Sequence, residues 1–130
     1  MKARIYLGSV AWRTIEQGHH AAVVQLFQEC ARRGIEIEEG SVVGDALVSR
    51  ARSLAASAFL RSDSNVLLSI DSDVWFRPAD AIELCEQALA GHDIIAGLYK
   101  TRIIKTQPAM ILPNEPVFFA AGQTPLETQI

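Results

Sequence analysis

Short strand-like apolar runs alternate with helix-like segments along most of this chain, and this alternation constrains its fold more than any other feature. Strands are predicted at 4–8, 35–38, 66–70 and 93–98, and helices at about 15–33, 44–60 and 78–89. A strand that follows a helix in this order usually pairs in parallel with an earlier strand, and the helices cover the sheet. We therefore expect an α/β three-layer sandwich with a mostly parallel sheet and helices on both faces.

Several residues predict where these elements begin and end. Thr14 and Gln17 match a capping box for the first helix, and Gly34 is a suitable stop for it. Pro78 suits the first position of the third helix. The run Val66–Ile70 is almost continuously apolar, which predicts a central strand covered on both faces.

Composition limits the kind of protein this is. The chain has 130 residues, of which 49% are hydrophobic and 21% are charged, as in a single soluble globular domain. A formal net charge of −3 argues against duplex DNA or an anionic membrane as the partner. No run approaches the roughly 18 apolar residues that span a bilayer, and no secretory signal is recognised. We expect no nucleic acid, no transmembrane segment and a cytoplasmic location.

Two cysteines, Cys30 and Cys85, lie among apolar helical neighbours. Two are too few for a disulfide framework, so we interpret them as buried free thiols in a reducing compartment. The adjacent residues His19 and His20 have no cysteine or carboxylate at ligand spacing, which does not favour a metal site. Trp75 is interpreted as a core residue or a pocket wall.

The triplet Asp71-Ser72-Asp73 directly follows the most apolar run of the chain. Ligands of open parallel sheets bind beyond the carboxyl ends of the strands, so this is where a binding site is expected. Two carboxylates there need water, hydrogen bonds or a cation, and paired hard oxygens suit Mg²⁺ or Mn²⁺. A plain strand-to-helix turn, in which aspartates accept backbone N–H groups, is the alternative.

Around this triplet the chain resembles the nucleotide-sugar-binding half of GT-A-fold glycosyltransferases. Ala51-Arg52-Ser53 is similar to the Ala-Arg-Asn segment of that family, with Ser53 in place of the more usual Asn, and Asp71-Ser72-Asp73 matches its Asp-x-Asp motif. The resemblance covers about 4–102. It implies a single nucleotide-sugar-binding domain over 1–130, in which 103–130 is an incomplete acceptor-side segment of a truncated enzyme.

The resemblance also implies a function and a set of site residues. Asp71 and Asp73 would hold Mn²⁺ or Mg²⁺ against the diphosphate of a UDP- or GDP-linked sugar, with Asp71 nearer the ribose. Arg52 would contact the diphosphate or pair with an acidic residue, and Gly8 and Ser9, as the turn that ends the first strand, would border the nucleotide. The implied activity is transfer of the sugar to an acceptor, and no catalytic base is identified.

Two other interpretations stay open at this stage. The chain could bind a nucleotide sugar without turning it over, because no acceptor-binding half is recognised. It is also similar to haloacid-dehalogenase-like phosphatases in placing Asp-x-Asp after an apolar strand, but Trp75 stands where they usually have Thr or Val. The donor sugar, the acceptor and the oligomeric state, a homo-oligomer included, are not determined by the sequence.

Overall fold

A computed structural model of the protein describes residues 1–11 and 14–97. The chain divides into two compact units, Met1–His92 and Asp93–Ile130. All helices and strands described below belong to the first unit. Residues 93–97 are the described part of the second, and no strand is formed there, so the predicted strand at 93–98 is wrong over these five residues. The segment 103–130 lies outside the described residues.

Three parallel strands form the sheet: β1 (Arg4–Ala11), β2 (Glu36–Val43) and β3 (Val66–Asp71). Their order is β2-β1-β3. Within the described residues β1 is therefore the central strand, and β3, which was predicted to be central, pairs with β1 alone. Val66 and Leu68 of β3 are buried in the core, but Ser69 is exposed. The long apolar run of β3 therefore does not mean that both faces of this strand are covered.

Helices α1 (Gln17–Arg33), α2 (Val48–Leu60) and α3 (Pro78–Leu89) follow the strands in alternation. α1 and α3 contact each other on one face of the sheet, and α2 packs on the other face against β1 and β2. The main core lies between the sheet and the α1–α3 pair. Its fully buried residues include Ile5 and Leu7 of β1, Leu26 of α1 and Ile82 of α3. The α/β architecture is confirmed and is consistent with a Rossmann-like fold.

The helix boundaries follow some of the sequence signals and not others. Gly34 ends α1 in the left-handed conformation with φ 66°, and Pro78 is the first residue of α3, both as predicted. The capping box of Thr14 and Gln17 is wrong: α1 begins at Gln17 after Glu16, without a side-chain cap. α2 begins at Val48, three residues later than its predicted start near Asp45, whose carboxylate instead accepts the Leu47 N–H.

Gly8 lies inside β1 rather than at its end. It pairs with Gly40 of β2 and Ser69 of β3, and the strand continues to Ala11, so the predicted turn at Gly8 and Ser9 is wrong. A Cβ on Gly8 would lie 3.5 Å from Ala55 Cβ and 3.2 Å from a methyl of Leu67. The glycine is there because α2 packs closely on the sheet at this point, and not because the chain turns.

Two further predictions concern the cysteines and membranes. Cys30 and Cys85 are buried free thiols, as predicted. Burial raises the pKa of Cys85 to about 12, so that thiol is protonated at neutral pH. No helix in residues 1–11 and 14–97 has the length and apolar character required to cross a bilayer.

We expect Gly8→Val to lower the free energy of unfolding by about 1–3 kcal/mol, because its methyl groups would be forced against Ala55 and Leu67. The measurement is chemical denaturation followed by circular dichroism. Ser69→Val is the matched control: Ser69 is the β3 register partner of Gly8 but is exposed, so we expect a change within about 0.5 kcal/mol. Equal stability of both variants would contradict the close packing of α2.

Candidate functional site at the carboxyl edge of the sheet

All three strands end at the same edge of the sheet because they are parallel. β1 ends at Ala11, β2 at Val43 and β3 at Asp71. The Gly44 N–H donates to the Ala11 carbonyl oxygen at 3.0 Å, which ties the chain leaving β2 to the end of β1. Asp71, Ser72 and Asp73 therefore lie at the edge where α/β proteins bind ligands.

Asp71 and Arg52 form an ion pair at this edge. Asp71 pairs in register with Val10, and this register directs its side chain toward the face of the sheet that α2 covers. Arg52 follows the buried Ala51 in α2, and its Nη2 donates to Asp71 Oδ1 at 3.1 Å and to Oδ2 at 3.3 Å. Arg52 and Asp71 side chains are 55% and 42% exposed. Such an exposed ion pair stabilises the fold by about 0–1 kcal/mol, so a ligand can rearrange it at a small cost in free energy.

The second aspartate has a different environment. Asp73 lies in the turn after β3 and is exposed. Within the described residues no hydrogen-bond donor or cation is placed on its carboxylate. Asp71 thus shares its charge with Arg52, whereas no residue in the described part of the chain compensates the negative charge of Asp73.

The two neighbouring arginines of α2 are held differently. Arg50 donates to both oxygens of Asp45, at 2.7 and 2.8 Å, and this contact lowers the pKa of the Asp45 carboxyl. Asp45 also accepts the Leu47 N–H, so the Arg50–Asp45 pair stabilises the start of α2. Arg52, by contrast, uses one nitrogen in longer contacts with Asp71. Of the two, Arg52 is the one whose guanidinium is available at the sheet edge.

The beginning of α1 holds the turn that carries the two aspartates. The Glu16 N–H donates to the Ser72 carbonyl oxygen at 3.1 Å. His19 is 2% exposed, and its Nδ1 lies 2.8 Å from the Val74 carbonyl oxygen. Because a carbonyl oxygen only accepts, Nδ1 is the protonated nitrogen in this contact. The His19 ring also meets Phe76 edge-on, with ring centroids 6.0 Å apart.

The structure brings together two of the residues predicted for the site, Arg52 and Asp71, and Asp73 lies in the turn two residues further along the chain. Gly8 and Ser9 lie within β1 rather than in a turn: Ser9 pairs with Ile70, the residue before Asp71, and is buried, and its hydroxyl lies 3.4 Å from Glu39 Oε1. Their assignment as nucleotide-contacting residues stays a prediction. Among residues 1–11 and 14–97, no group of three or more His, Cys, Asp or Glu side chains is arranged to hold a metal ion.

Sequence reasoning missed the contribution of α1. The sequence raises His19 only as a metal ligand, whereas in the structure it is a buried side chain that holds the 72–76 segment. Gly18 is the residue that could have indicated this contact. Glycine is a poor helix former, and a glycine within a helix often marks a point where another part of the chain packs closely against the helix backbone. Here the close neighbour is Trp75.

No protein-family model, curated protein or solved structure matches this chain. The residues at the carboxyl edge are therefore the basis on which a function is inferred.

We expect His19→Ala to lower the free energy of unfolding by about 2 kcal/mol, because it removes the donor to the partly buried Val74 carbonyl and leaves a cavity beside Phe76. It should also speed hydrogen exchange of the amides in 72–76. Denaturation and exchange mass spectrometry measure the two effects.

Two variants serve as controls for this prediction. His19→Asn retains an N–H donor near the position of Nδ1 and should recover part of the protection. His20→Ala alters the exposed neighbour and should change the free energy of unfolding by no more than about 0.5 kcal/mol. If exchange in 72–76 were the same in His19→Ala and the wild type, the role given to His19 would be wrong.

Proposed function

We propose that this chain is the donor-binding part of a metal-dependent glycosyltransferase, which moves a sugar from a nucleoside diphosphate to an acceptor. The observation that supports this most is the pair of aspartates at the carboxyl end of β3, beside the central strand β1. Both are accessible to solvent, and none of the residues that the structure describes places a cation on Asp73. The resemblance of Ala51-Arg52-Ser53 and Asp71-Ser72-Asp73 to the GT-A family points the same way.

The donor set fits Mg²⁺ or Mn²⁺ that is bound together with a diphosphate. Asp71 and Asp73 supply hard oxygen ligands, and ions of this kind commonly use one or two carboxylates, several waters and phosphate oxygens of the substrate. When bound, the ion would neutralise charge on the departing nucleoside diphosphate. With two protein carboxylates, metal affinity should be weak until the nucleotide is present.

Arg52 completes the charge arrangement. Its guanidinium lies beside Asp71 in a solvent-exposed contact, and arginine binds phosphate oxygens well because its N–H groups form a planar fork. In the proposed complex the phosphate replaces Asp71 as the partner of Arg52, and the Asp71 oxygens are then released for the ion.

The expected contribution to rate enhancement is positioning and electrostatic stabilisation. The turn bearing the aspartates is held by Glu16 and His19, so the main chain that carries these carboxylates needs little reorganisation when ligand binds. Transfer also needs an acceptor site. If the chain binds donor without hydrolysing or transferring the sugar, it acts as a nucleotide-sugar-binding module instead.

We expect UDP or GDP to bind in the presence of Mn²⁺ and to lose at least about tenfold in affinity in Asp73→Asn and in Asp71→Asn, since each variant removes a carboxylate from the ion. Isothermal titration calorimetry with and without Mn²⁺ measures this.

Asp63→Asn is the matched control, because Asp63 is an exposed aspartate just before β3, at the opposite end of that strand. We expect it to bind like the wild type. Metal-independent binding, or no binding of either nucleotide, would contradict the proposal. In the same samples, release of free sugar from the donor separates an enzyme from a binding module.

Arg52 and Arg50 offer a second comparison. We expect Arg52→Gln to weaken nucleoside diphosphate binding about tenfold through loss of a phosphate contact, with a change in unfolding free energy of no more than about 1 kcal/mol. Arg50→Gln should leave nucleotide affinity unchanged, because Arg50 is engaged with Asp45. Calorimetry and denaturation of both variants test this. Equal losses of affinity would show that general positive charge, and not the position of Arg52, matters.

A further inference from the structure

Trp75 lies two residues after Asp73, in the segment that leads from β3 into α3. It was expected to be a core residue or a pocket wall, yet it is 67% exposed. This exposure leaves a large aromatic surface open to a ligand close to the candidate site.

The geometry at Gly18 defines how the indole is placed. A Cβ on Gly18 would overlap Trp75 Cε2, Nε1 and Cδ2, and Cε2 would be the nearest of these three atoms. Cε2 is a ring-fusion atom, and its three bonded neighbours surround it in the plane of the indole. An atom that overlaps Cε2 must therefore approach from above or below the ring. One face of the indole therefore lies against the backbone of Gly18, and the opposite face is directed away from the helix.

The chain around Trp75 is held in place. The preceding carbonyl, that of Val74, binds His19, and the following side chain, Phe76, is packed against the main core and meets the His19 ring. The indole is thus supported on one face by a helix and on both sides by anchored neighbours. A surface that is already ordered loses little conformational entropy when a ligand covers it.

We propose that the open face of Trp75 is a stacking platform for a pyranose ring, and this inference rests on the function proposed above. Two residues span at most about 7 Å, so the indole is within reach of a group joined to a diphosphate held at Asp73. In a sugar nucleotide the group bonded to the distal phosphate is a sugar. One face of a pyranose presents C–H groups that gain by leaving water against an aromatic ring, while its hydroxyls stay hydrated at the rim.

The ring could belong to the donor or to the acceptor, and calorimetry with Mn²⁺ distinguishes these sources. For a donor ring, we expect UDP-glucose or GDP-mannose to bind about tenfold more tightly than the matching nucleoside diphosphate. Trp75→Leu should abolish this difference without changing the affinity for the diphosphate itself, and Trp75→Phe should retain part of it. For an acceptor ring, methyl glycosides should bind the protein loaded with nucleoside diphosphate, and Trp75→Leu should not bind them.

Gly18→Ala tests the platform without removing the indole. Its methyl group would occupy the position of the ring, so Trp75 must move and the sugar-dependent affinity should fall as in Trp75→Leu. Circular dichroism establishes that both variants are folded. If they bind sugar ligands as the wild type does, the platform is wrong while the proposed function stands.

A separate titration covers the case in which no nucleotide binds. Methyl glucoside, galactoside and mannoside are then added to the free protein, and tryptophan fluorescence is recorded for the wild type and Trp75→Leu. A saturable change confined to the wild type would support the platform even though the proposed function had failed. No change with any of the three sugars would overturn the platform as well.

Discussion

The contact between the first turn of α1 and the turn after β3 is the constraint on which the candidate site depends. The Glu16 N–H and the His19 ring bind main-chain carbonyls of Ser72 and Val74, and Gly18 supports the Trp75 ring. These partners are more than fifty residues apart in the chain. The positions of both aspartates and of the indole therefore follow from how α1 docks on the sheet.

Charge at the carboxyl edge is arranged in two ways. Arg50 with Asp45, and Arg77 with Asp80, form two-point pairs close in sequence at the starts of α2 and α3. Arg52 instead joins α2 to β3 through longer, exposed contacts with Asp71. Local pairs shape the helix starts, whereas the long-range pair is loose enough to exchange partners. That difference is the physical reason for giving Arg52 the ligand-binding role.

Local patterns predicted the elements that local forces control. Val23, Leu26 and Cys30 recur at helical spacing in α1 and are buried, and Gly34 and Pro78 take their expected places at helix ends. The predictions failed where a distant element decides the outcome. Gly8 resembles a strand stop in sequence, but it is a contact point for α2 within β1. The pattern of 93–97 suits a strand as well, yet apolar character alone does not supply a pairing partner.

By itself the sequence determined the alternation of helices and strands, the parallel α/β class and the presence of two acidic residues directly after an apolar strand. These follow from hydrophobic periodicity and from the order of elements along the chain. Only the tertiary structure decided that β1 is central, that Arg52 meets Asp71, that His19 holds the turn and that Trp75 is exposed. Strand order, register and contacts between distant residues depend on how whole elements pack, and no local pattern of residues encodes that packing.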